Sequence, residues 1–187
     1  MTEDPYKKIN ELEEKISFLQ AENESMAERA EEIFLLVMVS ESIREINDRS
    51  IIIDTVLEKI SILKDIPLCC YCSRNRNTLT VQLAYTSFAD NTTIQKIKLD
   101  ENAFNKLQNG ILYLVRDNNL YEEVFKSLNE KNFEPRSVLI IPHKSISNKL
   151  SYFIFADNDE DTNRFSEIIT LIHEVINIMS DKLDNLY

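Results

Sequence analysis

The sequence predicts an α+β domain whose sheet is covered by helices on both faces, preceded by a long coiled-coil helix. Three observations predict it. Residues 7–40 repeat apolar side chains at spacings of three and four. From Leu68 to Ala156, strand-like runs alternate with turns, and several runs, such as LCCYC and SVLII, are apolar on both faces. The last third carries a hairpin signal and then a helical pattern from Phe165. The expected division is 1–46 for the N-terminal coiled-coil or signalling helix and 47–187 for the domain.

In the first helix the heptad a positions are Ile9, Ile16, Asn23, Ala30 and Val37, and the d positions are Leu12, Leu19, Met26, Ile33 and Ser40. A lone Asn at an a position can pair with its own copy in a parallel two-stranded coil, or it is a polar residue tolerated in a frayed seam. Lys8 at g can reach Glu13 at the following e. From Ile33 the apolar stripe widens through Phe34, Leu36 and Val39, which calls for more than one neighbour.

Composition narrows the function classes. Net charge is −11, and residues 1–45 hold 12 acidic and 5 basic side chains, so seven of those charges lie there. An acidic balance disfavours nucleic acid and anionic membrane as partners. No apolar run approaches the roughly 20 residues of a membrane helix, and MTEDPYKKINELEEK lacks a signal-peptide core. A cytoplasmic protein without membrane insertion is the expectation.

Asn47-Asp48-Arg49-Ser50 breaks the first helix and supplies a cap. Ile52, Ile53, Val56, Leu57, Ile60 and Leu63 then recur at helical spacing and stop before Pro67. Strands are predicted at 68–73, 79–86, 94–99, 111–115, 138–142 and 150–156, with Arg74-Asn75-Arg76-Asn77 as the first hairpin turn. Short helices are predicted at 101–109 and near 120–130. The chain has one glycine, where average usage gives about 13. Gly110 follows ENAFNKLQN and precedes ILYLV, the place of a left-handed residue closing a helix.

The order of the last elements, with Pro142 closing one strand, a polar turn at Ser147-Asn148-Lys149, the capping run Asp161-Thr162-Asn163-Arg164 and Phe165-Ser166-Glu167 opening the helix, resembles the end of a GAF domain. Gly110 before Ile111–Asp117 and the run PRSVLIIP at 135–142 match the same pattern, and the resemblance spans about 51–183. It implies a GAF-like central antiparallel sheet and a sensory module of a signal-transduction system, not an enzyme. Leu99-Asp100-Glu101-Asn102 and Ser147-Asn148-Lys149 stand where the family usually has glycines.

Such domains often hold a small molecule between the sheet and the short helices of its outer face. Tyr85, Phe88, Phe104, Tyr113, Tyr121 and Phe133 fall on those elements, and Arg116 and Asp117 are the polar candidates; a plain packed core would use the same aromatics. The asparagine-lysine-phenylalanine-aspartate-glutamate set of phosphodiesterase GAF domains, a bilin-binding cysteine and the spaced cysteines of the sulfoxide reductases are absent from the sequence. No cofactor is indicated.

Cys69, Cys70 and Cys72 share one strand, with Cys70 and Cys72 on one face and Cys69 on the other. Cys70 and Cys72 with His143 supply three of the four ligands that a structural zinc site wants, and buried small hydrophobes are the expectation.

The terminal helix carries a second stripe of Leu171, Val175 and Ile178 beside its main one. Together with Ile9, Leu12, Ile16, Leu19, Asn23, Met26, Ala30, Ile33 and Val37, these three are assigned to a homodimer interface. The partners implied are a second copy and a signalling effector such as a kinase or cyclase. The alternative is a dimeric adaptor of the same fold that binds no small molecule.

Overall fold

The computed structural model describes residues 5–88, 93–107, 110–116, 121–144, 150–159 and 163–186. In chain order the elements are α1 (Pro5–Ile43), α2 (Arg49–Lys64), β1 (Leu68–Asn75), β2 (Thr78–Thr86), β3 (Lys96–Lys98), α3 (Glu101–Leu107), β4 (Leu112–Val115), α4 (Glu122–Leu128), β5 (Ser137–Lys144), β6 (Leu150–Asp157) and α5 (Arg164–Asp184). The strands form one antiparallel sheet ordered β3-β2-β1-β6-β5-β4.

The sheet separates two cores, because successive side chains of a strand point to opposite faces. Cys69, Leu139, Ile141, Phe153 and Phe155 pack with α1, α2 and α5. Cys70, Cys72, Val138, Ile140 and Ile154 pack with α3 and α4. Both faces are covered, as the doubly apolar strands require.

Local chemistry places the ends of the elements. Asp48 caps α2: its Oδ1 accepts from the backbone N–H of Ser50 at 2.8 Å and of Ile51 at 3.1 Å. Asp65 closes that helix at φ 49°. Arg76 takes φ 55° in the two-residue β1–β2 turn, where Asn75 pairs with Thr78. Asp157, 2% exposed, accepts from Arg164 Nη1 at 2.7 Å, and Arg164 Nη2 also donates to the Lys64 carbonyl. The ends of α2 and β6 and the start of α5 are thereby tied together.

Several boundaries differ from expectation. β1 runs on to Asn75 and β5 to Lys144, while β3 is only Lys96–Lys98; residues 108–109 of the expected short helix lie outside the described residues. Pro142 lies inside β5, opposite Tyr152, and does not end it. β4 begins opposite Ile140, so position 142 has no strand beside it on that edge, and the missing N–H breaks no ladder bond there. Gly110 has φ 133°, beyond the left-handed helical well. A Cβ there would meet nothing within 4 Å, so the backbone conformation alone calls for glycine. Ser147-Asn148-Lys149 and Asp161-Thr162 lie outside the described residues; Asn163 precedes α5 without a side-chain cap bond.

Along α1 every side chain from Lys8 to Phe34 is exposed. Leu35, Val39 and Ile43, spaced by four, are then buried in the core with α2 and α5. These are heptad positions f, c and g. Among the described residues, no helix is long and apolar enough to cross a membrane.

Candidate functional site

Two surfaces are candidates: the α3/α4 face of the sheet and the open side of α1. On the first, Phe88 stacks on Phe133 with ring centroids 4.5 Å apart. The Arg74 guanidinium lies 4.3 Å over the Phe104 ring, and its Nη1 reaches the Tyr152 hydroxyl at 3.4 Å. Lys106 sits 5.1 Å over the Tyr121 ring and donates to its hydroxyl. Tyr121 itself takes φ 61° at the start of α4. Beneath them Leu68, Leu79, Ile97, Ala103, Leu112 and Phe125 form the second core.

The predicted ligand residues do not converge. Phe88, Phe104 and Tyr121 are on this face, half-buried against its core. Tyr85 and Tyr113 point to the opposite side and pack with α1, α2 and α5, Tyr113 meeting Phe165 edge-on at 6.1 Å. The physical reason is strand parity: Tyr85 pairs with Cys69 and Tyr113 with Leu139, both on the first core's face. Arg116 lies beyond β4, ion-paired with Glu134 and 5.8 Å over Phe125. It borders an open polar cleft of about 820 Å³ with Lys131 and Arg136. Asp117 lies outside the described residues.

The three thiols are buried and unpaired, Cys69 facing away from the other two. Burial pushes Cys70 up to about 12 and the other two upward as well. These are protonated core side chains, without the thiolate a redox centre needs. His143 belongs to the Cys69 face, so it does not approach Cys70 and Cys72. Among the described residues, no cluster of His, Cys, Asp or Glu is arranged to hold a metal.

On α1 the assigned interface residues Ile9, Leu12, Ile16, Leu19, Met26, Ile33 and Val37 are each about half exposed or more, Ile33 reaching 61%. Asn23 and Ala30 are exposed beside them. Leu171 and Val175 stand apart from this set. Both are buried within the single chain, in the core that α1, α2 and α5 share, so they have cover without a second copy. Ile178 is half-buried at the edge of that core. Sequence periodicity counts apolar width on a helix, but α1 folding back across α5 uses up much of it.

Comparison of the whole fold decides its class. A solved A. aeolicus GAF domain, nlh2 in an inactive state, is 15% identical and covers 84% of this chain and 96% of its own, with a TM-score of 0.53. The phycoerythrobilin-bound GAF domain of a cyanobacterial phytochrome gives a TM-score of 0.59 at 8% identity, covering 83% of this chain and 95% of its own. The chain has the GAF fold. The free methionine-R-sulfoxide reductase of Neisseria meningitidis, solved with its substrate, is similar too, at 11% identity, 80% and 86% coverage and a TM-score of 0.56. No protein-family model and no curated protein matches the sequence.

One feature of this GAF fold was not singled out by sequence reasoning. His143 of β5 is buried, with Nδ1 3.2 Å from Ser151 Oγ on β6 and Nε2 2.6 Å from Ser180 Oγ on α5. Ser180 donates its own proton to the Ile176 carbonyl at 2.7 Å, so Nε2–H is the donor to Ser180. Burial first, and then the Arg49 charge, hold this histidine's pKa below its ordinary value, with Asp184 opposing. A neutral imidazole therefore bolts two strands to the terminal helix. Sequence carried no signal for the link to α5, since Ser180 lies 37 residues from His143 on another element.

Proposed function

We propose that the chain is a dimeric, non-catalytic sensory or regulatory module of a cytoplasmic signalling system. It holds two protomers in register through α1 and passes a change in helix packing between the GAF-like domain and that coiled coil. One observation carries this reading. The a/d face from Ile9 to Val37 is open along its length, while Leu35, Val39 and Ile43 on another face hold the same helix to its own domain. A contiguous exposed apolar stripe of this kind marks an interaction surface, and a second copy of the same heptad fits it. The partners are that second copy and an effector such as a kinase or cyclase.

A ligand or partner acts in this scheme only by binding one packing of the bundle better than the other. Light scattering across a concentration series tests the dimer: twice the chain mass at micromolar concentration supports it, and a monomer there refutes it.

A second reading is favoured by the filled α3/α4 face. The domain is then a dimeric adaptor that offers surface to another protein and binds no small molecule. Native mass spectrometry of fresh protein separates the two, since a co-purifying small mass is incompatible with the adaptor.

A further inference from the structure

Where α1 gives way to α2, a cavity of about 740 Å³ opens on the helix side of the sheet. That size falls within the roughly 300–1,000 Å³ of small-molecule sites. We propose that it binds a small zwitterion with an apolar body, of the class of a free apolar amino acid. The site lies across the sheet from Phe104 and Tyr121.

Its lining has the parts such a ligand needs. Ile53, Leu83 and Leu150 supply apolar wall, and Leu150 is 41% exposed with nothing polar to gain from it. Asp48 and Arg49 place opposite charges next to each other at the rim. Asp48 stays ionised, because Ser50 and Ile51 hydrogen-bond its carboxylate and lower its pKa. The same bonds cap α2 and take up the N–H groups of Ser50 and Ile51, so Arg49 is the anion partner. Arg49 is braced toward the cavity by Nη2 donating to the Tyr71 hydroxyl at 3.2 Å, which leaves that hydroxyl a proton to donate. A ligand carboxylate meets Arg49 and Tyr71, and its ammonium meets Asp48.

The sheet is also modified there. Tyr71 pairs with Leu83, but Cys72 pairs with Val81, so Gln82 is an extra residue in β2. Bulges of this kind re-aim side chains. Gln82 lines the cavity, its Nε2 donating to Ser73 Oγ at 3.2 Å, and its amide oxygen can take a ligand N–H.

The position fits a sensor. Ser151 lines the cavity and also contacts His143, which reaches Ser180 on α5. Asp48 and Arg49 begin the helix that follows α1. An occupant therefore touches the start of α2 directly and is linked to α5 through Ser151 and His143. Binding stands on the cavity alone; its use as a signal rests on the dimeric reading above.

The test is an NMR titration of the full chain with L-leucine and L-phenylalanine. The expected shifts fall at Tyr71, Gln82 and Ser151. N-acetyl-leucine and leucinamide, each lacking one charge, bind about tenfold more weakly or worse, as does leucine to Arg49→Gln. Ser73→Phe, which fills the floor, abolishes binding and covers the case in which Arg49→Gln misfolds. Four results overturn the proposal: no shifts at millimolar amino acid, shifts confined to Phe104 and Tyr121, equal binding of the blocked compounds, or leucine binding unchanged in both variants. The dimer mass is read separately, so a failed titration leaves that reading standing.

Discussion

Residues 8–34 and 35–43 belong to one helix and one heptad register, yet they live in different surroundings. The first stretch, about 40 Å long at 1.5 Å per residue, is exposed on every side. The second buries Leu35, Val39 and Ile43 in the domain while Val37 remains open. The difference separates two faces of α1: its a/d face is open, and positions f, c and g fasten it to α2 and α5. In the proposed dimer the open face is the one that meets the second copy.

If that division is right, mutations in the two stretches separate assembly from folding. Leu19→Asp, the largest effect, puts an unpaired charge in the middle of the seam. It is expected to weaken the dimer by about a thousandfold or more in sedimentation equilibrium, with the domain's denaturant midpoint unchanged at concentrations where both proteins are monomeric. Leu35→Ala should do the reverse. It costs about 2–5 kcal/mol of domain stability as a buried Leu→Ala change in urea unfolding, while the surviving folded protein still dimerises. If Leu19→Asp unfolds the domain, or Leu35→Ala leaves it untouched, the division fails.

Asn23→Leu sharpens the free stretch on a smaller scale. Removing the buried polar pair should stabilise the assembly by on the order of 1 kcal/mol per helix and loosen its two-strand specificity. A raised thermal midpoint together with larger species in light scattering is the expected result; no change in either places Asn23 off the seam. The smallest effect is at the anchored end, at His143. Its pKa is lower folded than unfolded, so as pH falls the unfolded chain takes up the proton first. The stability it contributes is present above the unfolded value near 6.5 and is lost as pH falls from there through the folded one. His143→Gln should flatten this part of a urea-unfolding pH profile; an unchanged slope would assign it to other groups.

The fold was legible where one residue pattern has one physical solution. The strand runs around Cys69, Leu139 and Phe153, apolar on both faces, demanded two covered sides, and the heptad demanded a long helix. Asp48 announced its own cap. The ligand residues were not legible, because Tyr85 and Phe104 look alike in sequence, and only the parity of β2 turns Tyr85 to the face opposite α3. Leu171 and Val175 misled for a related reason: their apolar width is real, but α1 of the same chain supplies the cover. The cavity where α1 gives way to α2 is bordered by the Gln82 bulge, which no periodicity reports.

A cysteine placed at Met26 measures the central claim most directly, because the native thiols are buried and protonated. Met26 is a d position, and Glu24 of the same heptad faces outward. In a parallel, in-register dimer Met26→Cys oxidises readily to a species of twice the chain mass on a non-reducing gel, and Glu24→Cys does not. Equal cross-linking of the two variants, or none by Met26→Cys, would contradict it.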